Sequence, residues 1–341
     1  MKKILIVGPA WVGDMVMAQS LFKVLKAQDP TTIIDVLASD WTRPLLARMP
    51  EVHQTHSMPI GHGKLALRQR YQIAQSLKSY GYTQAIVLAN SWKSALIPWW
   101  AKIPLRTGFL GECRWGLLND WRRLDKQALP RMIDRFAALA FKADQPMQSI
   151  PYPQLVVDQT QVAKTAQTFC PGWQPGQKII ALCPGAEFGS AKRWTTEHYA
   201  KLAAMKQSEG FAVWIFGSKK DIPVAAEIQQ HLKTPAVDFS GKTRLEEAID
   251  LLSVATVVVS NDSGLMHVAA ALNKPLMALY GPTDPAFAPP LGSNTRSLSL
   301  ALSCSPCRAR ECPLGHHRCM RDLLPEQVLT AMNRLEYACA S

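Results

Sequence analysis

Three loops of the 341-residue chain carry side chains that could do chemistry, and the first is GPAWVGDM, residues 8–15. It lacks the GxGxxG of a dinucleotide-binding loop, and Asp14 stands where a phosphate-binding P-loop has its lysine. The carboxylate lies instead at the start of a predicted helix, whose dipole favours its ionised form, and Gly13 would let a substrate approach the backbone. Two roles fit Asp14: a general base or a helix cap.

The second loop, PGAEFGSAKRW, follows another apolar run and contains Lys192 and Arg193 after two glycines. A cation at this position could neutralise the charge on a leaving phosphate. Adjacent basic residues are also commonly a solvated pair, so the sequence leaves both interpretations open. Glu187 and Arg193 are further candidates for contact with a ligand.

The third loop, SNDSGLMHVAAAL, passes from the end of a strand directly into a helix. Ser263, Gly264 and the backbone amides of the first helical turn would form an anion site. Asp262 and His267 flank this turn. Asp262 could be a cap only, and a histidine on an apolar helix could be a packed core residue.

The elements that must position these loops alternate between strands and helices. Lys3–Gly8 is a continuous apolar run, typical of a parallel strand buried on both faces, and Met15–Ala27 has apolar residues at helical spacing. Lys178–Cys183 and Val257–Ser260 are the corresponding runs before the second and third loops. Further strands are predicted at Ile33–Leu37, Ala85–Leu88, Ala212–Phe216 and Leu276–Tyr280, and helices at Thr42–Met49, from Ser91, and at Thr196–Ser208, Ile222–Leu232, Leu245–Ser253 and Gly264–Leu272.

This alternation predicts an α/β fold of two doubly wound, Rossmann-like domains, residues 1–160 and 161–341. Their junction is expected in the polar, proline-bearing stretch 145–177. Ligands of open parallel sheets bind beyond the carboxyl ends of the strands. The three loops are therefore expected to converge on a cleft between the domains.

Charge and hydropathy narrow the classes of protein. Of the net charge of +12, residues 1–160 hold 20 basic and 11 acidic side chains, so most of the excess lies in the first half. Such a surface attracts nucleic acid, anionic lipid or a phosphorylated substrate. A nucleic-acid binder is disfavoured because no recognised binding motif is present. No clean apolar run is long enough to span a membrane, and Gly8, Pro9 and Asp14 interrupt the apolar N-terminus, which favours retention in the cytoplasm.

Four of the eight cysteines cluster near the C-terminus, as Cys304, Cys307, Cys312 and Cys319, with two histidines among them. These are zinc-ligand types, but their spacing matches no standard zinc finger. The alternative is a reduced cluster that stabilises a loop. The chemistry suggested by the three loops does not require a metal.

Together, PAWVGDM, PGAEFGSAKRW and NDSGLMHVAAALNKPLMALYGPTDP resemble the ADP-heptose:lipopolysaccharide heptosyltransferases, from residue 1 to about residue 330. The resemblance implies a GT-B fold, with the acceptor bound by the N-terminal domain and ADP-heptose by the C-terminal domain. It places Asp14 on the catalytic base and Lys192 on the lysine that binds the diphosphate. It places Asp262, Ser263, Gly264 and His267 on the donor-binding loop. The last helix could pack back on the N-terminal domain.

One segment departs from the family pattern. Related enzymes carry an acidic ribose ligand shortly after the strand that ends in Phe216, whereas this chain has Lys219 there, in FGSKKD. Asp221 or the backbone of Ser218 could replace that ligand.

The resemblance implies inverting transfer of heptose from ADP-heptose to the first inner-core heptose, without a metal cofactor. The acceptor would be the Kdo- and heptose-bearing lipid A core at the cytoplasmic face of the inner membrane. Basic residues between Lys102 and Arg135, interleaved with Trp115 and Trp121, are expected to attract it. Transfer to the first or third core heptose, or a GT-B nucleotide-sugar epimerase, are the alternatives.

Overall fold

The computed structural model describes residues 2–61, 63–142, 145, 147 and 149–335. The chain divides after Pro153 into two compact units, unit 1 and unit 2. The predicted boundary at 160/161 therefore falls inside unit 2. The physical reason is a helix, Gln159–Phe169, which packs on the helix Leu245–Ser253, while the Leu155 N–H donates to the Ala271 carbonyl at 2.9 Å.

Unit 1 is built on a six-stranded parallel sheet in the order β3-β2-β1-β4-β5-β6. The inner strands β1, β2 and β4 are mostly apolar and mostly buried, whereas β3 and β6 are short, polar edge strands. The strands are Lys3–Val7 (β1), Ile33–Ala38 (β2), Gln54–Ser57 (β3), Gln84–Val87 (β4), Leu105–Phe109 (β5) and Asp120–Arg122 (β6).

Helices cover this sheet. The long first helix packs against α5, and α3 packs against α4 over a core that includes Ala74, Leu77, Ala95 and Ile97. The α2 helix is shorter than the predicted Thr42–Met49: a 3-10 turn occupies Asp40–Thr42 before it, and the helix ends at Leu46. The helices are Val12–Gln28 (α1), Arg43–Leu46 (α2), Leu67–Leu77 (α3), Trp92–Trp100 (α4) and Met132–Ala138 (α5).

Unit 2 repeats the design with a six-stranded parallel sheet in the order β12-β11-β10-β7-β8-β9. The predicted α/β class with two such sheets is thus confirmed. The strands are Ile179–Cys183 (β7), Ala212–Ile215 (β8), Val237–Asp238 (β9), Val257–Asn261 (β10), Leu276–Leu279 (β11) and Thr295–Leu298 (β12).

The helices of unit 2 close its core around β7, β10 and β11. The described final helix, α12, packs on α7, β11 and β12, and residues 336–341 lie outside the described chain. The helices are Gln159–Phe169 (α6), Thr196–Ser208 (α7), Ile222–Gln230 (α8), Leu245–Ser253 (α9), Gly264–Ala271 (α10), Arg318–Arg321 (α11) and Pro325–Met332 (α12). Within the described residues, no helix has the length and apolar character needed to cross a bilayer.

Candidate functional site

A buried side chain at the end of β10, Asn261, connects the loops after β7 and β10. Its amide nitrogen donates to the Pro184 carbonyl at 2.6 Å. Its amide oxygen accepts from the backbone N–H of Trp194 at 3.2 Å and from the Tyr199 hydroxyl at 3.0 Å. Because β7 and β10 are neighbouring strands, these bonds fix both ends of the 184–194 loop beside the start of α10. Asn261 is not among the site residues predicted from the sequence, although an amide at the end of a buried strand is a signal for such a role.

Between these loops lies an ion pair. The Lys192 ammonium is 2.6 Å from Oδ2 of Asp262, and the two side chains are only 13% and 12% exposed. The Thr283 hydroxyl donates to the same oxygen at 2.6 Å, and the ammonium also lies over the Phe188 ring. Lys192 is therefore not part of a solvated basic pair. It is a cation held in place at the carboxyl ends of two strands.

His267 is buried in α10, next to this pair. Burial lowers the pKa of its imidazole to about 4; the Asp262 carboxylate opposes that shift and the Lys192 charge adds to it. The ring is therefore neutral at physiological pH. It shapes the surroundings of the ion pair without adding a positive charge.

The start of α10 provides backbone donors beside the ion pair. Ser263 is the N-cap and Gly264 the first helical residue, and the Ser263 hydroxyl lies 3.2 Å from that of Ser260. The first N–H groups of a helix have no partner within the helix itself. With Lys192 nearby, this end of unit 2 has the composition of an anion site.

The two residues suggested as ribose ligands, Asp221 and Ser218, bond to each other, and their contact with a ribose stays a prediction. The Asp221 carboxylate accepts from the Ser218 N–H at 2.9 Å and from its hydroxyl at 2.8 Å, as a capping box. Asp221 is buried against Gly185, where an added Cβ would lie 2.6 Å from the carboxylate. One Arg193 nitrogen is 3.7 Å from Asp221. Asp221 and Ser218 thus join the loop after β8 to the loop after β7, and Glu187 pairs with Lys220 at the surface.

Asp14 lies in unit 1, in the first turn of α1 and partly buried. The N-cap of that helix is Trp11, so Asp14 occupies the third helical position and is not the cap residue. Gly13 is buried beside it. The Trp41 indole donates to the Ala10 carbonyl at 2.8 Å and so holds the loop before α1. Two of the three predicted loops are brought together within unit 2, and their convergence with the Asp14 loop stays a prediction.

Most of the basic side chains between residues 102 and 135 make hydrogen bonds within the fold, and attraction of the acceptor by the charge of this segment stays a prediction. Arg114 is fully buried and donates to the carbonyls of Ala89 and Phe109. Arg106 donates to the Ile103 and Leu117 carbonyls, each at 2.7 Å. Three more arginines have internal acceptors: Arg122 on Ala138, Arg131 on Asp134 and Arg135 on Leu129. The exposed cations of the segment are Lys102, Arg123 and Lys126.

The four clustered cysteines line one small cavity and are free thiols. Within the described residues, no group of three or more His, Cys, Asp or Glu side chains is arranged to hold a metal ion. The cysteine loop also bonds to the loops after β7 and β11. The Arg310 carbonyl accepts from the Ala191 N–H at 3.1 Å, and the Arg308 N–H donates to the Pro282 carbonyl at 2.7 Å.

Comparison with known proteins gives a consistent result. The model of glycosyltransferase family 9 (heptosyltransferase) matches residues 70–318. Lipopolysaccharide heptosyltransferase 2 of Escherichia coli K12 is 46% identical over 98% of both chains. Lipooligosaccharide heptosyltransferase 2 of Haemophilus influenzae is 48% identical over 97% of this chain and 99% of its own. The solved structure of E. coli ADP-heptose lps heptosyltransferase II aligns with a TM-score of 0.85 at 44% identity, covering 97% of this chain and 98% of that one.

Proposed function

Because the chain belongs to glycosyltransferase family 9, the heptosyltransferase family, we propose that it adds the second heptose of the lipopolysaccharide inner core. It would move heptose from ADP-heptose to a hydroxyl of the first core heptose. The observation that carries this proposal is the 46% identity to a heptosyltransferase 2 along 98% of both chains. The predicted glycosyltransferase activity follows from the family itself.

The donor would bind at the end of unit 2 that carries Lys192. As the bond between the anomeric carbon and the diphosphate oxygen breaks, negative charge grows on ADP. Lys192 and the first amides of α10 would stabilise this charge. Asp262 and Thr283 keep the ammonium in place before the donor arrives. In this proposal Lys192 is paired with Asp262 because the carboxylate positions the ammonium for the diphosphate.

Asp14 is our candidate for the general base. It would take the proton of the acceptor hydroxyl while that oxygen attacks the anomeric carbon and ADP leaves from the opposite side, with inversion. The position of Asp14 at the positive end of α1 favours the ionised carboxylate that such a role needs.

We also propose that turnover needs no metal ion, because Lys192 would supply the charge that Mg²⁺ provides in transferases with acidic metal motifs. Turnover in excess EDTA should equal turnover without it. Loss of activity in EDTA, restored by Mg²⁺ or Mn²⁺, would remove this role from Lys192.

The acceptor is tested with purified protein, ADP-heptose and Kdo-bearing core acceptors that carry no, one or two heptoses. We expect transfer to the acceptor with one heptose, detected as a mass increase of one heptose. Preferred transfer to the acceptor with none or with two would assign the chain to the first or third step instead. The acceptor is lipid-linked, so we place the reaction at the cytoplasmic face of the inner membrane, with no nucleic-acid partner.

A further inference from the structure

A long stretch of unit 1 has no acidic side chain. Between Glu51 and Glu112, residues 52–111 contain no Asp or Glu and seven Lys or Arg. Arg70 and Arg106 of this set donate to backbone carbonyls inside the unit. Lys64, Arg68, Lys78 and Lys102 are exposed. The exposed Lys and Arg side chains of residues 52–111 therefore have no carboxylate from the same residues to pair with.

Two helices of this stretch, α3 and α4, lie side by side. Their inner sides pack into the core through Ala74, Leu77, Ala95 and Ile97. The Lys93 ammonium donates to the Gly63 carbonyl at 2.7 Å and joins the start of α4 to the loop before α3. Further along, Tyr71 and Trp100 meet edge to face, with centroids 5.6 Å apart. The helices therefore form one continuous layer with a common outer side.

That outer side carries large apolar and aromatic residues. Leu67 and Tyr71, one helical turn apart on α3, are 45% and 49% exposed. Trp92 and Trp99, two turns apart on α4, are 39% and 44% exposed. Trp99 lies beside Trp100, which contacts Tyr71, so the aromatic rings are contiguous across the two helices.

We propose that this surface, the α3–α4 face, docks unit 1 on an anionic lipid bilayer. Its exposed members are Leu67, Tyr71, Trp92, Trp99, Lys64, Arg68 and Lys102. Trp and Tyr are the side chains that favour the membrane interface, and Lys and Arg nearby are attracted to anionic headgroups. A second copy of the chain fits poorly, because two such faces would bring Lys64, Arg68 and Lys102 of each copy together with only Glu112, which accepts from the Trp92 N–H, to oppose them. The inference rests on the proposed function, whose acceptor is lipid-linked.

The test is flotation of the full chain with vesicles of phosphatidylcholine alone or mixed with phosphatidylglycerol. We expect binding to the anionic vesicles that weakens as salt screens the charges.

The charge variant Lys64→Gln with Arg68→Gln should bind about 25-fold more weakly, at about fivefold per cation. The apolar variant Tyr71→Ser with Trp99→Ser should lose about tenfold or more. Val156→Ser, which removes an exposed apolar side chain of unit 2, is the control and should bind like the wild type.

Each variant is also assayed on a deacylated, water-soluble acceptor, where all should turn over like the wild type. This assay separates the two proposals. A wild-type protein that is inactive on every acceptor refutes the proposed function. Charge and apolar variants that are active but bind vesicles like the wild type refute the docking face. Equal binding of the wild type to neutral and anionic vesicles would also overturn it. The proposal would also be overturned if the variants changed the sedimenting mass of the protein but not its binding to vesicles. The α3–α4 face would then join copies of the chain.

Discussion

Single residues near the site owe their chemistry to the partners they meet in the folded chain. Lys192 meets Asp262, 70 positions away, and this contact turns a basic pair in the sequence into a fixed cation. Asp221 shows the opposite outcome, since its carboxylate is taken up by Ser218, three positions earlier in the same loop. Charge type alone therefore does not distinguish a ligand from a structural group.

Asp14→Asn separates catalysis from helix stabilisation. General-base assistance is worth about 10² to 10⁴ in rate, so kcat should fall within that range. ADP affinity should stay unchanged, because the donor-side groups lie in unit 2. The measurements are steady-state turnover and calorimetric ADP titration. A carboxylate that only favours the helix dipole contributes about 0.3–1 kcal/mol of stability, and its loss would leave kcat at the wild-type value; that result would contradict our assignment.

At the scale of elements, the candidate donor site of unit 2 is built from two loops joined by the Asn261 amide and by the Lys192–Asp262 ion pair. The polar atoms that Asn261 satisfies belong to the loop after β7 and to α7, and all of its bonds are buried. Loops are the least constrained parts of an α/β fold, and here their relative position depends on a side chain at the end of β10.

Asn261→Ala removes three hydrogen bonds and leaves three buried polar groups without them. The free energy of unfolding should fall by about 3 kcal/mol, at about 1 kcal/mol per bond. At temperatures where the variant is folded, ADP should still bind more weakly, by about tenfold, because the 184–194 loop that carries Lys192 loses its buried bonds to the end of β10. The exposed Asn333→Ala in the same unit is the control and should change neither quantity. A folded Asn261→Ala variant with normal ADP affinity would limit Asn261 to stability.

On the scale of the whole molecule, each unit has its own sheet and its own buried core. Unit 1 also holds a buried polar cluster. The Asp35 carboxylate is fully buried and accepts from the Tyr82 hydroxyl at 2.7 Å, with His53 Nδ1 at 2.9 Å and Lys3 at 3.7 Å. Burial by itself would raise the pKa of Asp35, but the hydrogen bonds from His56, Tyr82 and His53 and the Lys3 charge hold it at about 2.

This cluster predicts acid sensitivity of unit 1. A carboxyl whose pKa is lower in the folded than in the unfolded state stabilises the fold above the unfolded value of 3.8, and this contribution is lost as the pH falls through about 2. The contribution at neutral pH is roughly 2 kcal/mol. Hydrogen exchange of the β2 amides should show Asp35→Asn less stable than the wild type at pH 5, with a gap that narrows towards about pH 2. A gap that is independent of pH would contradict this account.

The two α/β repeats and the three loops that carry Asp14, Lys192 and Asp262 can be predicted from local patterns in the amino-acid sequence. Apolar strand runs and helical spacing are local signals, which is why α7 and α9 have the predicted bounds Thr196–Ser208 and Leu245–Ser253. The resemblance to the family could be found because its motifs are short and continuous in the sequence. Contacts between residues that are distant in the sequence are not encoded in such local patterns and are seen only in the folded structure. The polar helix α6 forms inside the predicted junction because it packs on α9, and the short edge strands β3, β6 and β9 exist because their neighbours offer hydrogen bonds. Burial and pairing of Arg114, Lys192 and Asn261 depend on which distant groups meet them, and that is fixed only when the sheets and loops pack.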